Sequence, residues 1–165
     1  MTLTDRLKTR ARELGFDLIG LTAPDPLPHA DFFAEWIAAG YHGEMRYLAT
    51  ERALERRGDP RLILPECKSV IVVGVNYGAE PVQSESGDER VQGRVARYAH
   101  GADYHDWLPR RMAELVAFLE AEVGHPIAHK IYADTGPLLE RDLAQRAGLG
   151  WIGKNTLLIN PQIGS

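Results

Sequence analysis

Cysteine is almost missing from this chain: Cys67 stands alone among 165 residues. A single thiol excludes an internal disulfide framework. It also excludes an all-cysteine metal site or iron–sulfur cluster built from these residues by themselves. Long apolar runs are missing too. The longest is Val70 to Val73, carried through Gly74 to Val75, far short of the roughly 20 residues that a helical membrane span needs. Positive charge is not in excess, since 19 Lys and Arg stand against 23 Asp and Glu for a net charge of −4. That excludes a wholesale basic coat and leaves room for a local basic patch facing a nucleic acid. The polar start, Met1-Thr2-Leu3-Thr4-Asp5-Arg6, runs into a charged helix and has no signal-peptide pattern, so a soluble cytoplasmic protein is expected. The other end, Ile163-Gly164-Ser165, follows an apolar segment with no polar tail. It suggests a cut within a longer protein.

What is present fits one folded domain, with 44% hydrophobic and 25% charged residues. Thr2 to Asp5 offers a capping pattern, and Leu3, Leu7 and Leu14 share one side of the helix that follows, with Gly15 as its stop. Phe16 to Gly20 reads as a short strand. Pro24, Pro26 and Pro28 make the next link extended. Helices are expected over Asp31–Ala39 and Thr50–Arg57, with the aromatic stretch Tyr41–Leu48 between them as an ordered cover. Lys68 to Tyr77 is β-branched, apolar on both sides and bounded by turn formers, as a central strand should be. Cys67 beside it reads as a structural thiol at the sheet edge. Residues 79–93, rich in Gly, Ser, Glu and Asp, read as a solvent loop. A long amphipathic helix follows over Asp103–Glu122, then a strand over Ile127–Ala133, a helix from Pro137 to about Ala147, and a last strand over Thr156–Ile159. The fold class is α/β or α+β: a mixed sheet with flanking helices.

Two glycine motifs are lookalikes. Gly148-x-Gly150-x-x-Gly153 matches a dinucleotide fingerprint, and Gly148-x4-Gly153-Lys154 resembles a phosphate-binding loop. Both need a strand before the glycines and a helix after them, so that phosphate meets a helix N-terminus. Here the order is reversed, and Asn155 replaces the magnesium-holding Ser or Thr. A turn whose backbone passes close to another segment or to a flat cofactor fits better.

Two polar clusters exceed what a core requires. Arg97 to His105 packs two His, two Tyr, an Arg and an Asp before a helix, with helix capping as the simpler role for Asp103. His100 and His105 have no metal-ligand company in the sequence. Asp134-Thr135-Gly136-Pro137 lies at a predicted strand end, where open α/β sheets place ligands. Asp134 either caps the helix after it or acts as a general acid kept partly protonated by burial against an apolar ligand. Arg141, beside Glu140 in the first helical turn, opposes the helix dipole and calls for an anionic partner. Lys154 is either a solvated charge or a donor to a bound acceptor.

Taken together, four blocks resemble epoxyqueuosine reductases: Leu64-Pro65-Glu66-Cys67 through Asn76-Tyr77, Ala96-Arg97-Tyr98 through Tyr104-His105, Tyr132-Ala133-Asp134 through Glu140-Arg141, and Ala147-Gly148-Leu149 through Asn155-Thr156. The resemblance covers nearly the whole chain and is to the N-terminal portion of that family. It implies a cobalamin-binding domain over 1–165, and reduction of the epoxide of epoxyqueuosine at the wobble position of tRNA, the last step of queuosine synthesis. Asp134 corresponds to the proton donor. Arg97, Tyr98, Tyr104, His105, Arg141 and Lys154 are the implied contacts to the corrin amides or the substrate ring. Gly150 and Gly153 would let backbone approach the corrin, and Met45 and Tyr47 would cover the cofactor and substrate. The resemblance further implies an external electron donor, a monomer with no membrane association, and two 4Fe–4S clusters in a further region whose cysteines this chain lacks. A reductive dehalogenase-like enzyme and a cobalamin-binding module without turnover are the alternatives. Dehalogenases centre their acid on tyrosine, so Asp134 favours the tRNA enzyme.

Overall fold

A computed structural model describes residues 1–78, 95–99 and 101–164. The expected loop over 79–93 and His100 lie outside them. Helix α1 (Leu3–Glu13) starts at a capping box in which Thr2 and Asp5 satisfy each other's backbone N–H, and Gly15 follows its end in a left-handed conformation. Strand β1 (Leu18–Thr22) pairs antiparallel with β2 (Val70–Gly74), Gly20 opposite Val72. Between them lie α2 (Ala30–Ala38), a 3-10 turn over Arg46–Ala49, and α3 (Glu51–Gly58), whose N-cap is Thr50. Helix α4 (Tyr104–Val123) is capped by Asp103, which accepts the His105 N–H at 2.9 Å, and it ends at left-handed Gly124. The simpler role for Asp103 holds. Then come α5 (Glu140–Arg146) and the antiparallel pair β3 (Trp151–Ile152) and β4 (Leu158–Ile159).

The alternation of side chains along β1 and β2 gives the pair two faces. Ile19, Leu21, Ile71 and Val73 pack against the core of Leu7, Ala11, Phe16 and Leu115, so α1 and α4 cover that side. Gly20 and the strand pair also meet α5. A Cβ on Gly20 would sit 2.6 Å from the Ala147 carbonyl oxygen, so the close approach of the α5 C-terminus requires glycine there.

The α/β class with flanking helices holds, but the sheet is two small antiparallel pairs rather than one mixed sheet. The expected strand over Ile127–Ala133 does not form. The run is apolar and β-branched enough, but a strand exists only where another offers its edge, and the Ile127 N–H goes instead to the Glu120 carboxylate at 2.9 Å. The first strand begins two residues later than expected. The last is confined to Leu158–Ile159 because Thr156 sits at φ 65°, outside extended backbone. The helix expected from Pro137 begins only at Glu140, after a turn at Asp134 with φ 56°.

A polar seam fixes α5 to the proline-rich link. Arg146 donates to Thr22 Oγ1 at 3.0 Å and to the carbonyls of Ala23 (2.7 Å), Asp25 (2.9 Å) and Pro26 (3.2 Å). Asp142, buried with 5% exposure, accepts the His29 N–H at 3.1 Å and faces His29 Nδ1 at 2.6 Å. The guanidinium fork suits such convergent carbonyls, and a buried carboxylate needs both bonds.

Candidate active site

Asp134 is exposed, and its backbone occupies the left-handed region, which costs a non-glycine residue about 1–2 kcal/mol. Two hydrogen bonds hold it there. The Tyr104 hydroxyl, from the first turn of α4, donates to Asp134 Oδ2. The Asp134 N–H donates to Glu140 Oε1 at 3.1 Å. Asp134 therefore does not cap α5. It is instead tied down by that helix's first residue.

Of the two carboxyls at this turn Asp134 is exposed, and Glu140 is half-buried at the start of α5. Desolvation, the neighbouring Asp134 carboxylate and a hydrogen bond between the two side chains push Glu140 up to about 7. Tyr104 is pushed up to about 12, first by its bond to Asp134 and then by burial. It is therefore a fixed proton donor in the hydrogen-bond sense throughout the neutral range, and never a phenolate. Sequence reasoning placed Glu140 in a first helical turn, where any acid is favoured by the dipole. Its spacing of six residues from Asp134 was the only further signal, and it points nowhere without the turn at Asp134.

Tyr98 and His105 meet Tyr104 at this centre, and Arg141 acts on Glu140; Arg97 and Lys154 are placed only by their own turns. His105 stacks on Tyr104 with centroids 4.0 Å apart, and it faces Asp103 Oδ1 at 2.7 Å. Tyr98 meets Tyr104 edge-on at 6.4 Å and Tyr77 at 6.4 Å, which makes a row of exposed aromatic rings leading to Asp134. Arg97 lies exposed in the same short turn as Tyr98. Arg141 finds its electronegative partner in the Thr156 carbonyl at 2.6 Å, and its charge also acts on Glu140. Lys154 is exposed in the turn between β3 and β4.

Others stand apart or have a simpler explanation. A Cβ on Gly150 would run into the Ile159 backbone, and one on Gly153 into the Ile159 side chain. Both glycines therefore answer to packing within the β3–β4 pair. Met45 and Tyr47 are exposed at the 3-10 turn that precedes α3. Cys67 lies just before β2, where burial raises its thiol and its Sγ–H reaches the Ser69 carbonyl at 3.4 Å.

A cavity of about 940 Å³ opens onto Asp134. Its walls are mostly apolar, from β2, from the α4 residues Leu108, Met112 and Leu119, and from the run over 125–133, with Tyr104, Asp134 and Glu140 among its polar lining. Such a space can hold a large, flat, largely apolar group beside a carboxylic acid pair.

Comparison with known proteins shows what this chain is similar to. The family model "Epoxyqueuosine reductase QueG, DUF1730" matches residues 57–135. An epoxyqueuosine reductase of Pseudomonas aeruginosa is 37% identical over 166 residues, covering 99% of this chain and 45% of that protein. One of Gloeobacter violaceus is 40% identical, covering 97% of this chain and 48% of its own length. The chain is homologous to the epoxyqueuosine reductases. It spans about half the length of the curated relatives it matches. Solved epoxyqueuosine reductases share the fold. A selenomethionine-labelled one superposes with a TM-score of 0.83 at 30% identity, over 99% of this chain and 43% of that one. Another, solved with an epoxyqueuosine-modified tRNA-Tyr stem loop, gives 0.80 at 29%, over 99% and 42%. A Bacillus subtilis epoxyqueuosine reductase, with its aspartate catalytic loop swung out of the active site, gives 0.80 at 28% over the same shares. Among the described residues no helix is long and apolar enough to cross a membrane.

Proposed function

We propose that this chain is the cobalamin-binding, epoxide-opening part of an epoxyqueuosine reductase acting on tRNA, with Asp134 as the proton donor. The observation that carries the reading is Asp134 itself, an exposed carboxyl on a strained turn, held by Tyr104 and Glu140 at the edge of a large apolar cavity. A donor held by two hydrogen bonds on an exposed turn is in keeping with a catalytic loop that can swing, as in the Bacillus subtilis relative.

The donor set suits a corrin. The exposed rings of Tyr77 and Tyr98 offer flat apolar contact, and Arg97, His105 and Lys154 offer side-chain donors to peripheral amides. When bound, reduced cobalamin supplies the electrons that break the epoxide C–O bond. The protein's own task is then to orient the epoxide, keep water away and protonate the oxygen. An opened epoxide leaves an alkoxide, and a carboxylic acid within hydrogen-bond reach protonates it. Tyr104 keeps the Asp134 carboxyl aimed without giving up its own proton. The iron–sulfur clusters do not fit these residues, since Cys67 alone cannot ligate them. Electron delivery would then come from a further region or an external donor.

Titrating the protein with cobalamin, followed by the corrin absorbance, should give a saturable spectral change. Asp134→Asn should keep that change and slow single-turnover reduction of an epoxyqueuosine-containing stem loop by roughly 10²–10⁴-fold, with chemically reduced cofactor. Unchanged rates would remove Asp134 from the acid role, and no spectral change in any oxidation state would sink the cobalamin reading.

A further inference from the structure

We infer that the trough between β2 and the run over 127–133 is the seat of an extended, apolar strand from the half of the reductase that these 165 residues do not span. The inference goes beyond the reading above and needs no cofactor.

Strand β2 is built for the middle of a sheet and stands at its edge. Val70 to Val73 is β-branched and apolar on both faces, without the lysine, proline or bulge that blunts a natural edge. Only β1 pairs with it, and each of its residues is half-buried. Alternate N–H and C=O groups of Val70–Val73 therefore point away from β1, with no other partner among the described residues.

A second segment is in the same condition. The run over 127–133 has the composition of a strand, yet the N–H groups of residues 128–132 make no hydrogen bond among the described residues. Both segments line the same cavity of about 940 Å³ without pairing with each other. Its covers are already in place. Leu108, Met112 and Leu119 line it from α4, on the face of the strand pair that bears Ile71 and Val73. Leu143 lines it from α5, which packs on the opposite face, at Gly20. A residue of a buried strand takes up roughly 160 Å³, from a rise of about 3.3 Å, a strand spacing of about 4.8 Å and a layer about 10 Å thick. The cavity of about 940 Å³ thus matches about six residues, close to the five of β2.

The occupant must have both edges free and both faces apolar. A second copy of this chain is a poor source, because its β1 and β2 spend an edge on each other, as do its β3 and β4. The relatives have more chain to supply such a strand, since this one covers 45% of the Pseudomonas aeruginosa protein and 48% of the Gloeobacter violaceus one. Seated in the trough, the strand pairs with β2 on one side and with the run on the other, and joins them into one sheet. Pairing of the run also fixes the approach to the Asp134 turn, which follows Ala133 directly.

Hydrogen exchange reads both edges at once. In the 165-residue chain alone, the amides of 128–132 should exchange almost as freely as in an unfolded peptide. In a chimera with this chain in place of the matching part of the Pseudomonas aeruginosa protein, 128–132 and 70–73 should slow together, by about a hundredfold or more. Successive N–H groups of a strand point to opposite sides. Of Lys130→Pro and Ile131→Pro, the one aimed into the trough should therefore abolish this protection and the other should be tolerated. Both should leave the denaturation midpoint of the chain alone where it is. Protection of 128–132 in the chain alone, slowing of only one segment or of neither in the chimera, or tolerance of both prolines overturns the inference. So does protection of both segments by cobalamin in the chain alone, which would make the cofactor the occupant. If the chimera does not fold, exchange in the chain alone still decides whether the two edges are open. A failed cobalamin titration sinks only the functional reading and leaves each of these outcomes as it is.

Discussion

The two ends of α5 are held in opposite ways. Its C-terminal part is locked, with four donors from Arg146 and a buried Asp142 gripping the link over residues 22–29. Its N-terminal residue, Glu140, holds an exposed turn by one backbone bond and a carboxyl contact. Rigidity lies in the seam, where every bond joins distant parts of the chain. The site is left with the smallest set of contacts that can aim a carboxyl. A helix of seven residues cannot be stable by itself, so the seam is what allows its other end to carry chemistry.

The contrast can be broken from the seam side first. Arg146→Ala strands several carbonyls of the link and should destabilise the protein by about 2–4 kcal/mol in denaturant unfolding. Arg146→Lys should recover little, since an ammonium cannot span the same fork. A loss under 0.5 kcal/mol would show that water replaces these bonds freely and that the seam is not what fixes α5.

The site side offers a smaller effect that depends on pH. Glu140 titrates higher folded than unfolded, so the folded state binds its proton more tightly. Stability is therefore fullest below the ordinary Glu range and falls as pH rises through about 7. One proton sets the slope at no more than about 1.4 kcal/mol per unit. Unfolding measured between pH 5 and 8 should show this decline in wild type and a flatter curve in Glu140→Gln. Equal slopes would mean that Glu140 does not titrate in that window.

Smaller still are changes at partly exposed partners. His29→Ala should cost about 1 kcal/mol, since Asp142 keeps the backbone N–H of residue 29 but loses the ring. Tyr104→Phe removes one partly exposed hydrogen bond and should shift stability by under about 0.5 kcal/mol. Its larger effect should fall on single-turnover reduction, through a poorly aimed Asp134. The comparison would be reversed if Tyr104→Phe unfolded the protein and His29→Ala did nothing.

Local patterns were legible wherever they were self-sufficient. The Thr2–Asp5 box, the Asp103 cap and the amphipathic period of α4 all sit close to where the side chains alone placed them. The β-branched run at 70–74 was equally plain. Ile127–Ala133 was misread because strand formation is a property of two segments, and the run itself contains only one. The helix from Pro137 was set too early because nothing local announces a left-handed aspartate.

For the site, the residue types of Asp134, Tyr104, Arg141 and His105 and their resemblance to a reductase family were written in the chain. So was the lack of cysteine, which no folding can change. Only the tertiary structure decided that Tyr104 and Glu140 meet at Asp134, 30 and 6 residues away, and that Glu140 is half-buried while Asp134 is exposed. It also decided that Gly150 and Gly153 answer to Ile159. The hydrogen bonds and the burial at this turn are set by distances between residues brought together by the fold, which no sequence position carries.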